Sequence, residues 1–157
     1  MDLQTIVNAI NKTGFENRSK QMFTLGDLIQ ELEKLPQNAD ITIEPFHLVP
    51  DFFTSYRGYY SDLCLTYKTR YESYFNYKTV SDLLQMAKEC VNKEFTGYKG
   101  GEFTMTLKTP IWISDDDFST GMGIKDIVEA FDNHVSVSST HLRAHETDSY
   151  LVCRLLL

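Results

Sequence analysis

The pattern Thr-x-x-Asp followed by an apolar pair occurs twice, as Thr24-Leu-Gly-Asp-Leu-Ile and as Thr79-Val-Ser-Asp-Leu-Leu. A threonine hydroxyl here can accept an otherwise unpaired first-turn amide, and the pattern is a relative of the capping box. Behind the first cap, Leu25, Leu28, Ile29, Leu32 and Leu35 draw one apolar face, and Pro36 stops the helix. The second helix is expected to end near Asn92. Two helices that are each apolar on one side must bury that side against another layer. The likeness of the two segments fits either a duplicated helix–strand unit or the ordinary chemistry of any capped amphipathic helix. A fixed-period repeat array is not supported.

The remaining elements follow from periodicity. Leu3, Ile6, Val7 and Ile10 keep helical spacing, which predicts a short helix over Asp2–Lys12 ended near Gly14, then a polar loop over Phe15–Met22. Asp40–Glu44 alternates Ile41 and Ile43 with polar neighbours, a half-buried strand closed by Pro45. Phe46–Thr54 predicts an irregular connection around Pro50. Tyr59–Tyr67 predicts a strand with Leu63 and Leu65 on one face, and Lys68–Lys78 a tyrosine-rich connection. Glu102–Thr106 and Pro110–Ser114 predict strands joined around Lys108–Pro110, followed by turn material over Asp115–Gly123. Ile124–Phe131 and His134–Val137 predict a hairpin across Asp132–Asn133. The expected fold is α+β, an antiparallel or mixed sheet of about five strands covered by two or three helices.

Size and charge narrow the classes. At 157 residues a single domain can bury an ordinary core without metal or disulfide support. A net charge of −7, from 15 basic and 22 acidic residues, argues against extended contact with a nucleic-acid backbone, which needs a basic surface. A local basic pocket remains compatible with it. Cys64, Cys90 and Cys153 form an odd, widely spaced set without Cys-x-x-Cys, which suits a reducing cytosol. The N-terminus lacks the basic start and apolar run of a signal peptide, and no stretch approaches the roughly 18 apolar residues of a membrane span. The expectation is a cytoplasmic protein, in a host cell, with no membrane partner.

Candidate chemistry concentrates in two stretches. Ser55-Tyr-Arg-Gly-Tyr-Tyr-Ser-Asp-Leu-Cys-Leu sets Arg57 among Tyr56, Tyr59 and Tyr60. Phe95-Thr-Gly-Tyr-Lys-Gly-Gly-Glu-Phe-Thr-Met-Thr sets Lys99 between Tyr98 and the pair Gly100–Gly101. A guanidinium grips phosphate or carboxylate bidentately, tyrosine rings stack on a base, and closely spaced glycines present backbone amides to an anion. Each stretch also has a purely structural account. The tyrosines would cover a sheet edge while Arg57 pairs with a carboxylate such as Asp62. Gly97 would be the left-handed cap of the preceding helix, ahead of a Gly100–Gly101 bend. If the loops are neighbours, the two cations converge on one anionic small molecule, a nucleotide being the natural case, without turnover or cofactor.

Catalytic patterns are sparse. The loop at Lys99 is no P-loop, and His47 and His134 stand in no Gly-x-Ser-x-Gly or His-Glu-x-x-His context. Cys64 and Cys90 fall where a strand and a helix bury them. No catalytic residue is assigned; a small enzyme, as an alternative, would use Asp62 or Glu102 as acid or base. No metal site is expected either. Asp115-Asp-Asp with Ser119 and Thr120 lacks the EF-hand ligand pattern. His141 and His145, spaced i, i+4, have no third ligand beside them.

Taken together, Thr24-Leu-Gly-Asp-Leu-Ile, Ser55-Tyr-Arg-Gly-Tyr-Tyr-Ser-Asp-Leu, Phe95-Thr-Gly-Tyr-Lys-Gly-Gly-Glu-Phe-Thr-Met and Thr109-Pro-Ile-Trp resemble a family of small tailed-phage and prophage proteins, over Thr24–Phe131. The resemblance carries over no site residue. It implies a phage setting, in which small non-enzymatic proteins block a host factor or sequester a signalling nucleotide. Val137–Leu157 has no clear period, and its run Ser138–Thr147 resembles translated sequencing-library adapter. The expected organisation is one α+β domain over 1–136 and a non-native tail over 137–157. Besides an anionic small molecule, the alternative partner is a host protein held by the Tyr/Arg patch, with self-association left open.

Overall fold

Both Thr-x-x-Asp segments close as full reciprocal caps in the computed structural model, which describes residues 2–68, 77–115, 121–130 and 132–141. Thr24 Oγ1 accepts from the Asp27 amide at 3.2 Å and Asp27 accepts from the Thr24 amide at 2.9 Å, at the head of α2 (Leu25–Glu33). Thr79 and Asp82 repeat this at the head of α3 (Val80–Cys90). The Thr79 amide holds the Asp82 carboxyl below its ordinary range. Both helix starts are also tied into the body. The amides of Leu25 and Gly26 donate to the carbonyls of Thr109 and Leu107, and that of Val80 donates to Ala39. These bonds satisfy first-turn donors that a cap alone leaves open.

The strands are β1 (Asp40–Glu44), β2 (Val49–Ser55), β3 (Leu63–Lys68), β4 (Lys78–Thr79), β5 (Glu94–Thr96), β6 (Glu102–Thr104), β7 (Ile111–Ser114), β8 (Met122–Ala130) and β9 (His134–His141). Seven form one mixed sheet in the order β2-β3-β7-β8-β9-β1-β4, and β5 and β6 make a separate two-stranded hairpin. The fold is therefore α+β, with more strands than expected from the sequence. β3 with β7 and β9 with β1 run parallel; the other neighbours in the large sheet run antiparallel. Strands β1 and β2 follow one another through a tight turn closed by the Ile43–Leu48 bridge, yet they lie far apart in the sheet order. The sheet must curl strongly for that corner to close.

Alternation along the strands divides the interior in two. Ile41 and Ile43, Leu63 and Leu65, Ile111 and Ile113, and Val135 and Val137 point to one face. There they pack with Leu25, Leu28, Leu32, Leu83 and Ala87 of α2 and α3. Cys64 and Trp112, paired across β3 and β7, point the other way and join Met22 and Tyr56 in a second buried cluster. The end of α1 (Leu3–Gln21) and Met22, its C-cap, cover this second face.

Several expectations need correction. α1 does not stop near Gly14 but runs on through the segment expected to be a polar loop. Its later turns bury Arg18 instead of an apolar residue, so no hydrophobic stripe marks them. Phe46–Thr54 is not irregular throughout. β2 occupies most of it as an edge strand, where Pro50 is tolerated and the register shifts between Pro50 and Phe53. β6 pairs with β5 rather than with β7. The expected connection over Lys68–Lys78 lies mostly outside the described residues, as do Asp116–Thr120, Phe131 and all of 142–157. β9 continues past the boundary expected at 136, with Val137 buried opposite Ile43 and Ile127. Among the described residues no helix is long and apolar enough to cross a membrane.

Gly26 tests the tie between α2 and the loop before β7. A Cβ there would stand 2.8 Å from the Leu107 carbonyl oxygen, a backbone atom that cannot swing aside. Gly26→Ala is expected to destabilise the fold by about 1–3 kcal/mol in urea unfolding, against the gain that helix propensity alone would give. A neutral or stabilising result would mean the helix start is not held as described.

Candidate functional site

Ser55–Asp62 forms a tight loop between β2 and β3. The Tyr56 amide donates to the Asp62 carbonyl at 3.0 Å, the Asp62 amide donates to Tyr59, and the Ser55 hydroxyl donates to Tyr60. Gly58 belongs where it is because a Cβ would run into the Tyr56 ring. That ring stacks on Trp112, with centroids 4.4 Å apart and planes 6° from parallel. Asp62 sits beneath, fully buried. It accepts from Arg18 Nε at 2.6 Å, from the second Arg18 nitrogen at 3.0 Å, and from Trp112 Nε1 at 2.9 Å. Arg18 also lies over the Tyr59 ring, 3.8 Å from its centroid. The carboxylate suggested as a partner for Arg57 is thus taken by Arg18, a residue 44 positions earlier in the chain.

The Gly-rich stretch is the tip of the β5–β6 hairpin. α3 ends at Cys90, and the left-handed residue after it is Asn92 (φ 62°), so Gly97 is not its cap. Gly100 and Gly101 carry φ of 97° and 83°, where glycine alone is at ease, and they turn the chain back. Gly97 is required for a different reason. A Cβ would lie 3.0 Å from each of the Tyr60 and Phe103 rings and 2.9 Å from the Gly100 carbonyl oxygen.

The two loops lie together. Arg57 covers the Tyr98 ring with its guanidinium carbon 3.6 Å from the centroid, and Tyr60 meets Phe103 edge-on at 6.0 Å. Beside this junction opens a cleft of about 1140 Å³ between α1 and the Tyr56–Asp62 loop. Ile10, Thr13, Gly14 and Asn17, on one face of α1, form one wall; Arg57–Ser61 form the other, and Phe103 closes one end. Among the described residues no Asp, Glu, His or Cys lines it, while two arginines do.

Of the sequence candidates, Arg57, Tyr59 and Tyr60 line this cleft. Tyr56 is buried behind it against Trp112, and Tyr98 lies under Arg57. Lys99, Gly100 and Gly101 are exposed at the hairpin tip and do not line it. Asp62 and Glu102 occupy different settings: Asp62 is saturated and buried, whereas Glu102 is exposed and accepts from Thr96 at 2.9 Å. Neither reaches the cleft. Cys64 is buried, and burial pushes the Cys90 thiol up to about 11, so Cys90 presents no thiolate. His145 and Cys153 lie outside the described residues. The sequence reading missed Arg18, Asn17 and Phe103. No local signal marked the first, because α1 buries a charged side chain there and not an apolar one.

No family model matches the chain, and neither a curated protein nor a solved structure is significantly similar to it.

Asp62 is the residue on which this arrangement turns. Asp62→Asn keeps an acceptor for Trp112 but leaves the Arg18 cation buried without a counter-charge, and is expected to cost about 3–5 kcal/mol in chemical unfolding. Adding Arg18→Met should restore part of the loss. Equal destabilisation of the single and double variants would show that the ion pair is not the source.

Proposed function

We propose that the cleft beside α1 binds an anionic small molecule, held by Arg57 and faced by Tyr59, Tyr60 and Phe103. One observation carries this reading. Arg57 makes no side-chain hydrogen bond or ion pair with any described residue, and its Nε is buried without a partner. A guanidinium fixed on an aromatic ring keeps its planar donor fork in one orientation, which suits a phosphate or carboxylate. The aromatic walls suit a flat group attached to that anion, so a nucleotide is the first class to try. Lys99 adds positive charge on the neighbouring loop without entering the cleft. In the phage setting that the sequence motifs imply, such a protein would hold its ligand in the host cytoplasm without turning it over.

Thermal unfolding against inorganic phosphate, pyrophosphate and the nucleoside mono-, di- and triphosphates tests the reading. Binding at about 100 times Kd stabilises by about 2.7 kcal/mol, a rise of several degrees for a chain this size. Arg57→Ala should abolish that rise, with the unliganded protein losing no more than the ~1 kcal/mol of its ring contact. If none of these compounds shifts the transition, or if Arg57→Ala responds like the wild type, the reading fails.

A second reading, docking of a protein partner, is favoured by a different feature. Leu3, Ile6, Val7 and Ile10 form one apolar stripe on α1 yet stay exposed, Leu3 at 76% and Ile10 at 64%. A protein retained from host lysate by the wild type and lost by Ile6→Glu, with unfolding unchanged, would support it. Retention by Ile6→Glu would count against the stripe.

A further inference from the structure

His47 and His134 belong to no motif in the sequence, and they are 87 positions apart, yet the fold brings both to one carboxylate. Glu44 closes β1, and the chain then turns through Pro45 and Phe46 to His47. Reciprocal backbone bonds between Ile43 and Leu48, at 2.7 and 2.8 Å, close this turn. His47 takes a left-handed φ of 51°, uncommon outside glycine, and its Nδ1 comes back to within 2.9 Å of Glu44 Oε1. His134 opens β9, which runs parallel to β1 with Asp40 opposite His134 and Glu44 opposite Ser138. Alternation puts His134 on the same side of the sheet as Thr42 and Glu44. One nitrogen from each imidazole and one carboxylate oxygen lie within 4.8 Å of one another.

We propose that Glu44, His47 and His134 form a binding site for a divalent transition-metal ion of the zinc type. Two imidazoles and one carboxylate are a donor set that such an ion takes in open sites, leaving room for water or a further ligand. A tetrahedral ion with bonds of about 2.0–2.1 Å holds its ligand atoms about 3.3 Å apart. The cluster therefore needs a contraction of no more than about 1.5 Å at any pair, within reach of χ rotations of the exposed His47 and the part-exposed Glu44.

The surroundings fit this role. The Thr42 hydroxyl, almost fully buried, donates to Glu44 Oε1 at 3.1 Å and lies 2.8 Å from His134 Nε2. The Ser139 hydroxyl donates to the Glu44 backbone carbonyl at 2.8 Å. Contacts of this kind orient ligands around a bound ion. No Lys or Arg forms an ion pair with Glu44 among the described residues; the ring that faces its carboxylate is that of His47. The soft ligands Cys64 and Cys90 are buried elsewhere, so the ion would be bound by nitrogen and oxygen alone.

Titration of the full chain with Zn²⁺ by calorimetry, and with Co²⁺ by absorption spectroscopy, tests the site. A single equivalent with low-micromolar or tighter affinity is expected, with cobalt d–d bands and no thiolate charge-transfer band. His47→Ala and His134→Ala should each weaken binding by more than the roughly 10–100-fold typical of losing an outer contact, and Thr42→Val by about that amount. Each variant should unfold at the wild-type midpoint in chelator, which separates lost ligation from lost structure. His141→Ala/His145→Ala should bind like the wild type. The proposal is overturned if zinc fails to bind, if binding survives both single histidine variants, or if it disappears in the His141/His145 variant instead.

Discussion

The buried pair between Arg18 and Asp62 fixes where α1 lies, and the rest of the second face follows from that. Taking a guanidinium and a carboxylate out of water costs several kcal/mol, and attraction offsets this only when the geometry is good and the remaining donors and acceptors are satisfied. Here both conditions are met. Arg18 engages Asp62 through two nitrogens, Trp112 supplies a third hydrogen bond, and the face of the guanidinium rests on Tyr59. An apolar contact would tolerate a helix sliding or rotating by a residue or two. A two-point charged contact does not. It sets the height and rotation of α1 against β7, and so decides which residues of the helix face the Tyr56–Asp62 loop. The first half of α1 has no such anchor, and Leu3, Ile6 and Ile10 stay exposed there.

How much of this the sequence disclosed depends on how far each signal extends along the chain. The caps of α2 and α3 were legible because the hydroxyl, the carboxylate and the amides they satisfy lie within four residues. β1 and the β8–β9 hairpin were legible because period-two alternation and a turn pair are local. β2 was hidden by Pro50, which only an edge position excuses, and edge position is a property of the assembled sheet. The second half of α1 was hidden because its buried residue is charged. Nothing local distinguishes an arginine that will meet Asp62 from one that will face water. β6 and β7 alternate alike, so alternation could not reveal that one pairs with β5 and the other joins the large sheet. The loops at Arg57 and Lys99 could be matched by composition, and they do touch. That Arg57 would lie on Tyr98, and Lys99 outside the cleft, required the hairpin's path, which Gly97, Gly100 and Gly101 set through close approach and positive φ.

Arg18 and Arg57 carry the same side chain to the same cleft and end in opposite states. Arg18 is paired with a carboxylate within the fold through two nitrogens, so its charge is already matched and its contribution is positional. Arg57 is oriented by Tyr98 but matched by nothing among the described residues. Stacking holds a guanidinium in place without consuming its donors, which is the difference between a cation whose donors are used within the fold and one whose donors are not. The walls reinforce this. Among the described residues no carboxylate lines the cleft, so none there would compete for Arg57 with the proposed anion.

The chain as a whole would oppose the anion proposed above, since its net charge is −7. The opposition reaches only so far. At physiological ionic strength exposed charges farther apart than about 8 Å scarcely feel one another, so repulsion by distant carboxylates is weak once the ligand enters the cleft. Within that radius the described lining residues bring two guanidinium groups, and Asp62 lies behind one of them. Because Asp62 neutralises one of those groups, the local excess comes from Arg57 alone. Affinity in such a site cannot come from a broad field; it has to come from direct contact with one oriented cation and from rings that replace water around the rest of the ligand. An anionic group joined to a flat apolar body meets both demands.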